Sequence, residues 1–185
     1  MTLFVYLYFI HFLADYTFQS SAIVKYKSEH FLGVVIHTTV HLLLLLIVLA
    51  PFLPDNKVWL SIGVIYVTHI MMDQTKVTLN RVRARYIRFF YFADQIAHLL
   101  IATACAWYIG PLMPKYLTGQ ALSLYTSQSF VLYLLILTLV TYFYDVTRYF
   151  VRRDYLKKPY RRDYRTMLIN AGIVTVAFGV CWIAY

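Results

Sequence analysis

Charge is scarce in this chain: Asp, Glu, Lys and Arg together make up 14% of its 185 residues, where a soluble domain usually carries about 25%. That shortage excludes an ordinary water-facing surface. Glutamate is nearly missing, Glu29 being the only one. This counts against a di-iron carboxylate oxidase, because helical sites of that kind use Glu and Glu-x-x-His. Cysteine is as sparse. Cys105 and Cys181 stand in different apolar runs, with no Cys-x-x-Cys and no Cys/His zinc spacing, so a structural zinc knuckle is excluded and both pack as small hydrophobes. Low-complexity segments and long linkers are also absent, so residues 1–185 read as a single membrane domain. The first apolar run lacks a basic n-region and a small-residue cleavage site, and reads as a retained span rather than a signal peptide.

What the chain has is apolar length. Hydrophobic residues make up 61%, with 18 tyrosines and 13 phenylalanines, and mean hydropathy is +0.63. The fold class expected is all-α: a polytopic integral membrane protein of about six transmembrane helices. The spans fall at 2–20, 31–53, 58–75, 89–110, 129–150 and 166–184. Pro51 and Pro54 close the second, and Gly110, Pro111 and Pro114 close the fourth. Spans one to four (1–110) read as a four-helix bundle around a metal site. Residues 111–185 read as two enclosing helices with a basic cytoplasmic loop.

Of the 17 Lys and Arg residues, 15 lie in the odd-numbered loops; only Lys57 and Lys115 lie in the even ones. The positive-inside rule then places the basic loops in the cytoplasm and both termini outside. The net charge of +9 is explained by topology and contact with anionic lipid headgroups. The basic residues follow the loops and form no recognition motif, so nucleic acid is not an expected partner. A homo-oligomer is compatible with the pattern.

Inside the apolar runs stand four pairs of metal-ligand-type side chains, each spaced i, i+4: His11/Asp15, His37/His41, His69/Asp73 and Asp94/His98. On a helix this spacing puts both members on one face, one turn apart. Ionisable groups in hydrocarbon are expensive and need a partner, a wet cavity or an ion. With alternate spans running in opposite directions, all four pairs fall at one depth, the inner half of the bilayer. HFLADYTFQ in span one is also echoed by HIMMDQTK in span three, each followed by a span with its own i, i+4 pair. A duplicated helix pair related by a pseudo-two-fold axis along the membrane normal produces such an echo.

Three readings compete for this constellation: internal hydrogen-bonded couples that tighten packing, a proton or ion relay, and a metal site. Carboxylates with imidazoles suit divalent zinc, iron or manganese, and the lack of thiolate disfavours copper(I) and iron–sulfur. Eight ligands exceed the need of one ion. Two ions are therefore expected, zinc foremost, able to activate a water and clamp both oxygens of a displacement. One of Asp15, Asp73 or Asp94 can serve as the catalytic base instead of a ligand. Gln19, Gln74, Gln95, Lys25 and Lys76 flank the pairs as candidate supporting groups that orient ligands, pair with the acids or hold a phosphate. His30 reads as solvated, Asp145 and Arg148 as an i, i+3 ion pair. Spans five and six, which otherwise offer only Asn170, read as packing.

With HFLADYTFQ, HTTVH, HIMMDQTK and DQIAH in view, the chain resembles a bacterial inner-membrane family catalogued as a domain of unknown function. That family's pattern is HFLAD-x3-Q, HxxxH, HxxxDxxK and DQxxH, matched here over roughly the first 100 residues. The resemblance implies an inner-membrane location and no activity. A looser likeness is to the helical multi-zinc phosphoesterases, the zinc-dependent phospholipase C and single-strand nuclease group, and to membrane-bound metal-dependent hydrolases. The chain lacks the ligating amino-terminal Trp of the soluble enzymes. What the likeness implies, for His11, Asp15, His69 and Asp73, is metal ligation. The expected function is thus a membrane-embedded metal-dependent hydrolase acting on an ester or phosphoester of a lipid-linked substrate at the cytoplasmic leaflet. The alternative is a divalent-ion or proton-coupled transporter using the same site.

Overall fold

The structure is a computed structural model describing residues 3–154 and 164–184, and every regular element among them is helical. They form two compact units, residues 1–126 and 127–185.

In the first unit, α1 (Leu3–Leu13) runs into one π turn, Ala14–Phe18. There follow α2 (Ser21–Glu29), α3 (Phe31–Val48), α4 (Asn56–Val82), α5 (Ile87–Ile109) and the short α6 (Met113–Tyr116) and α7 (Gly119–Thr126). The breaks have local causes. Ser20 caps α2, its hydroxyl accepting from the Ile23 N–H. Pro51, which has no N–H to continue an α-helix, sits in the 3-10 turn Ala50–Phe52 that ends α3. Asp55 caps α4: Oδ1 accepts from the Lys57 backbone N–H at 3.0 Å, and Oδ2 accepts from the Tyr116 hydroxyl at 3.2 Å. The Lys57 N–H first, then the Tyr116 hydroxyl and Lys115 ammonium, hold the Asp55 carboxyl below its ordinary range.

α1, α3, α4 and α5 pack as a four-helix bundle, with α2 folded along the start of α3. One half of the bundle is filled by Leu3, Leu7 and Ile10 of α1, Leu45 of α3, Val58 and Ile62 of α4, and Ala102, Ala106 and Ile109 of α5. The other half buries His, Asp and Gln. Outside, the pattern inverts. On α4, Met71 is 63% exposed while Asp73, half a turn away, is 1% exposed; Leu60, Val67, Leu100 and Trp107 likewise face outward. So broad an apolar surface around a polar interior is a liability in water and the natural state in lipid.

Among the described residues, four helices are long and apolar enough to cross a membrane: Phe31–Val48, Ala84–Tyr116, Ser129–Arg152 and Tyr164–Cys181. They coincide with the second, fourth, fifth and sixth expected spans. The other two do not reach that standard. Leu3–Phe18 is apolar but short. α4 has 27 residues, and its C-terminal half carries His69, Asp73, Gln74 and Lys76, which lower its apolarity although Asp73 and His69 face inward. The basic stretch 77–88 continues α4 to Val82, makes a 3-10 turn at Ala84–Tyr86 and enters α5.

The second unit consists of α8 (Gln128–Thr138), a π turn (Leu139–Phe143), α9 (Tyr144–Asp154) and α10 (Tyr164–Ala184). The Tyr133 ring of α8 stacks on Phe178 of α10 at 4.4 Å between centroids, and its hydroxyl meets Thr175 Oγ1 at 2.9 Å. Lys157, Lys158, Arg161 and Arg162, the centre of the expected basic fifth loop, lie outside the described residues.

Candidate metal centre

The four i, i+4 pairs meet in the polar half of the first unit. α1 delivers its pair from its C-terminal end and the π turn beyond, α4 from the start of its C-terminal half, and α3 and α5 from around their middles. Antiparallel neighbours therefore bring all eight side chains to one level. Asp15 arrives on the π turn Ala14–Phe18, a wider turn of the kind that re-aims side chains at functional sites.

The tightest part is a triangle. Asp15 Oδ1 lies 3.1 Å from His37 Nε2 and 3.2 Å from His41 Nε2, and the two nitrogens are 3.3 Å apart. In a tetrahedral zinc site with bonds of 2.0–2.1 Å, donor atoms stand roughly 3.3 Å from one another. The triangle thus has the dimensions of one face of such a site. His69 completes a set of four whose ligand atoms lie within 4.8 Å of one another. Its Nε2 is buried with no hydrogen-bond partner among the described residues. An orphaned imidazole nitrogen on a side chain grouped with three other ligand residues fits an ion, since without one its burial is a net cost.

A second set overlaps the first through His69: His69, Asp73 and His98. Asp73 Oδ2 lies 3.4 Å from His37 Nε2 and 3.7 Å from His69 Nε2. His98 donates from Nδ1 to its own helix, at the Asp94 carbonyl (2.7 Å), leaving a buried Nε2 unpartnered among the described residues. Where the imidazoles meet the apolar half there is a cavity of about 20 Å³ lined by His11, His41, His69 and His98, room for one water.

His11 and Asp94 fall outside both sets. His11 Nε2 lies 3.3 Å from Gln95 Oε1 and 3.7 Å from Asp15 Oδ2, behind the carboxylate that faces the triangle. Asp94 Oδ2 accepts from Lys76 Nζ at 2.5 Å.

Of the flanking groups, Gln95 is the most engaged: its amide donates to Asp15 Oδ2 at 3.0 Å and Asp94 Oδ2 at 3.4 Å, so one side chain braces two carboxylates. The Gln19 amide meets His37 Nδ1 at 3.0 Å. Turned end for end, its oxygen accepts the Nδ1 proton and leaves Nε2 a lone pair for an ion. Lys76 joins Asp73 (2.8 Å) to Asp94. Gln74 is half-buried, with Oε1 unpartnered among the described residues. Lys25 and His30 are exposed.

Two features are not foreseen from the sequence. Lys27, two residues after Lys25, is buried and donates to Asp73 Oδ2 at 3.0 Å. The signal was present in Gly33: a Cβ there would stand 2.5 Å from the Lys27 backbone nitrogen, so α2 is a helix laid tightly on α3, not a loop. The hydroxyls of Tyr16 and Tyr91 also meet beside the centre, and nothing in their spacing marks them out.

No curated protein and no solved structure matches this chain. Residues 3–118 match the family model described as a protein of unknown function (DUF3307). That range contains the whole four-helix bundle and every side chain of the buried His/Asp centre, and it covers more than half of the sequence: the chain belongs to the DUF3307 family.

Proposed function

We propose that this protein is a multi-pass protein of the bacterial inner membrane and a metal-dependent hydrolase, acting on an ester or phosphoester of a lipid-linked substrate at the cytoplasmic leaflet. The observation that carries the metal reading is the Asp15–His37–His41 triangle with the orphaned His69 Nε2 beside it. Zinc suits this donor set best, with iron or manganese the other candidates. A divalent ion held there supplies Lewis acidity toward an ester or phosphoryl oxygen and a nucleophilic water at neutral pH.

The chain's own groups divide the remaining work. Gln95 and Gln19 fix the orientation of Asp15 and His37. Asp15, Asp73 and Asp94 are the carboxylates able to take a proton from the attacking water. Lys76, whose side chain is 15% exposed, is the cation best placed to meet an anionic group at the rim. Arg83 and Arg85, in the connection between α4 and α5, and Arg88, in the first turn of α5, are exposed at the bundle end nearest the centre, where they attract anionic headgroups.

Six crossings with both termini outside put this end of the bundle in the cytoplasm, by the same loop charges. The opposite half is filled among the described residues by packed Leu, Ile, Val and Ala side chains, which supports a one-sided enzyme over a transporter.

The test is hydrolysis by detergent-purified protein. Turnover of a phosphodiester or carboxylic-ester lipid analogue that stops with chelator and returns with zinc is the expected result. Retained metal without turnover on either ester class would end the hydrolase reading and leave the metal site standing.

A further inference from the structure

The two donor sets differ in what their carboxylates touch. Asp15 meets imidazole nitrogens through Oδ1 and a neutral amide through Oδ2. Asp73 has an ammonium on each oxygen: Lys27 Nζ at 3.0 Å from Oδ2 and Lys76 Nζ at 2.8 Å from Oδ1. Lys76 Nζ also lies 2.5 Å from Asp94 Oδ2. It therefore bridges carboxylates from two different helices, as the second ion of a two-ion centre does.

We infer that the centre takes one divalent ion, at Asp15, His37, His41 and His69, and that Lys76, with Lys27 behind it, is a built-in cation occupying the place of a second. This rests on the metal reading above and replaces the two ions expected from the ligand count.

The charge balance supports the inference. Asp15, Asp73 and Asp94 bring three negative charges and Lys27 and Lys76 two positive ones, so the protein supplies a net −1. One divalent ion makes the centre +1, which a single anionic substrate group neutralises. Two make it +3, an excess that a low-dielectric interior does not tolerate. Geometry agrees. Two-ion centres hold their metals about 3.5–4 Å apart, and at His69, Asp73 and His98 a second ion would have to share a carboxylate whose two oxygens each already hold an ammonium. An ammonium has three donors and no acceptor, so Lys76 cannot ligate an ion while charged; it can only stand in for one. The orphaned His98 Nε2 is the ligand left idle by this arrangement.

The test counts ions on the full chain in detergent. Loaded with zinc, desalted and measured by plasma mass spectrometry, the unsubstituted protein is expected to hold one zinc per chain. The Lys27→Met, Lys76→Met double variant is expected to hold two, and adding His98→Ala should return it to one. Lys76→Arg, which keeps the charge, should stay at one. Should the Met variants fail to fold, cobalt titration of the unsubstituted protein followed by visible absorption decides the count, with saturation expected at one equivalent. Two ions in the unsubstituted protein, or one in a folded double variant, would overturn the inference and leave the metal reading intact. No ion in the unsubstituted protein would overturn both.

Discussion

The backbone nitrogen of Lys27 stands 2.5 Å from where a Cβ on Gly33 would be. Only a residue without a side chain lets α2 approach α3 so closely, and that approach delivers the Lys27 ammonium to Asp73. Gly33→Ala is expected to push α2 away at a cost of about 1–3 kcal/mol, the usual range for overpacking. Thermal unfolding in detergent checks the size of the loss. A Gly33→Ala protein as stable as the parent, with the Lys27–Asp73 pair intact, would contradict this picture.

His69 makes a prediction of unusual sign. Its Nε2 is buried without a partner among the described residues, a burden of roughly 1–3 kcal/mol for such a group. His69→Leu should therefore leave the metal-free protein as stable as before or more so, while removing tight zinc binding. Melting curves with and without zinc separate the effects: zinc should raise the parent's Tm and leave the variant's unmoved.

Gln95 touches His11, Asp15 and Asp94 and is not itself an expected ligand. Loss of such an orienting partner typically weakens metal binding 10- to 100-fold. Gln95→Leu should fall in that range by competition with a chromophoric chelator, with the helical circular dichroism spectrum unchanged. An unaltered affinity would mean that Asp15 needs no brace.

Asp55 sets a pH dependence at the opposite end of the bundle. Its carboxyl is held below its ordinary range, chiefly by the Lys57 backbone N–H. A carboxylate whose folded value is depressed contributes stability that is fully present above the unfolded value, roughly pH 4, and is lost as pH falls through the folded one. Asp55→Ala should therefore melt below the parent at neutral pH, and the gap should close on acidification past that point. A gap constant with pH would assign the effect to something other than the charge.

Much of this molecule is legible in its sequence. Apolar runs near membrane length predict the helices, because backbone groups in lipid have no other way to be satisfied. An i, i+4 pair shares a helix face whatever the helix packs against, so the four pairs stand out by spacing. Loop direction puts them at one level. These inferences are local, and local rules suffice for them.

Tertiary structure decided what each side chain meets. His11 and His37 each open an i, i+4 pair in sequence. Yet His37 enters the triangle with Asp15, while His11 stands behind it against Gln95. Lys25 and Lys27 are two residues apart on one short helix, and only the second turns inward to Asp73. Asp15 and Asp73 stand in the same i, i+4 context, and one is left to imidazoles while the other is claimed by two ammonium groups. Periodicity places a residue on a face of its own helix. The rotation of that helix and its distance from its neighbours come from packing across all four, set by residues such as Gly33 that carry no chemistry themselves.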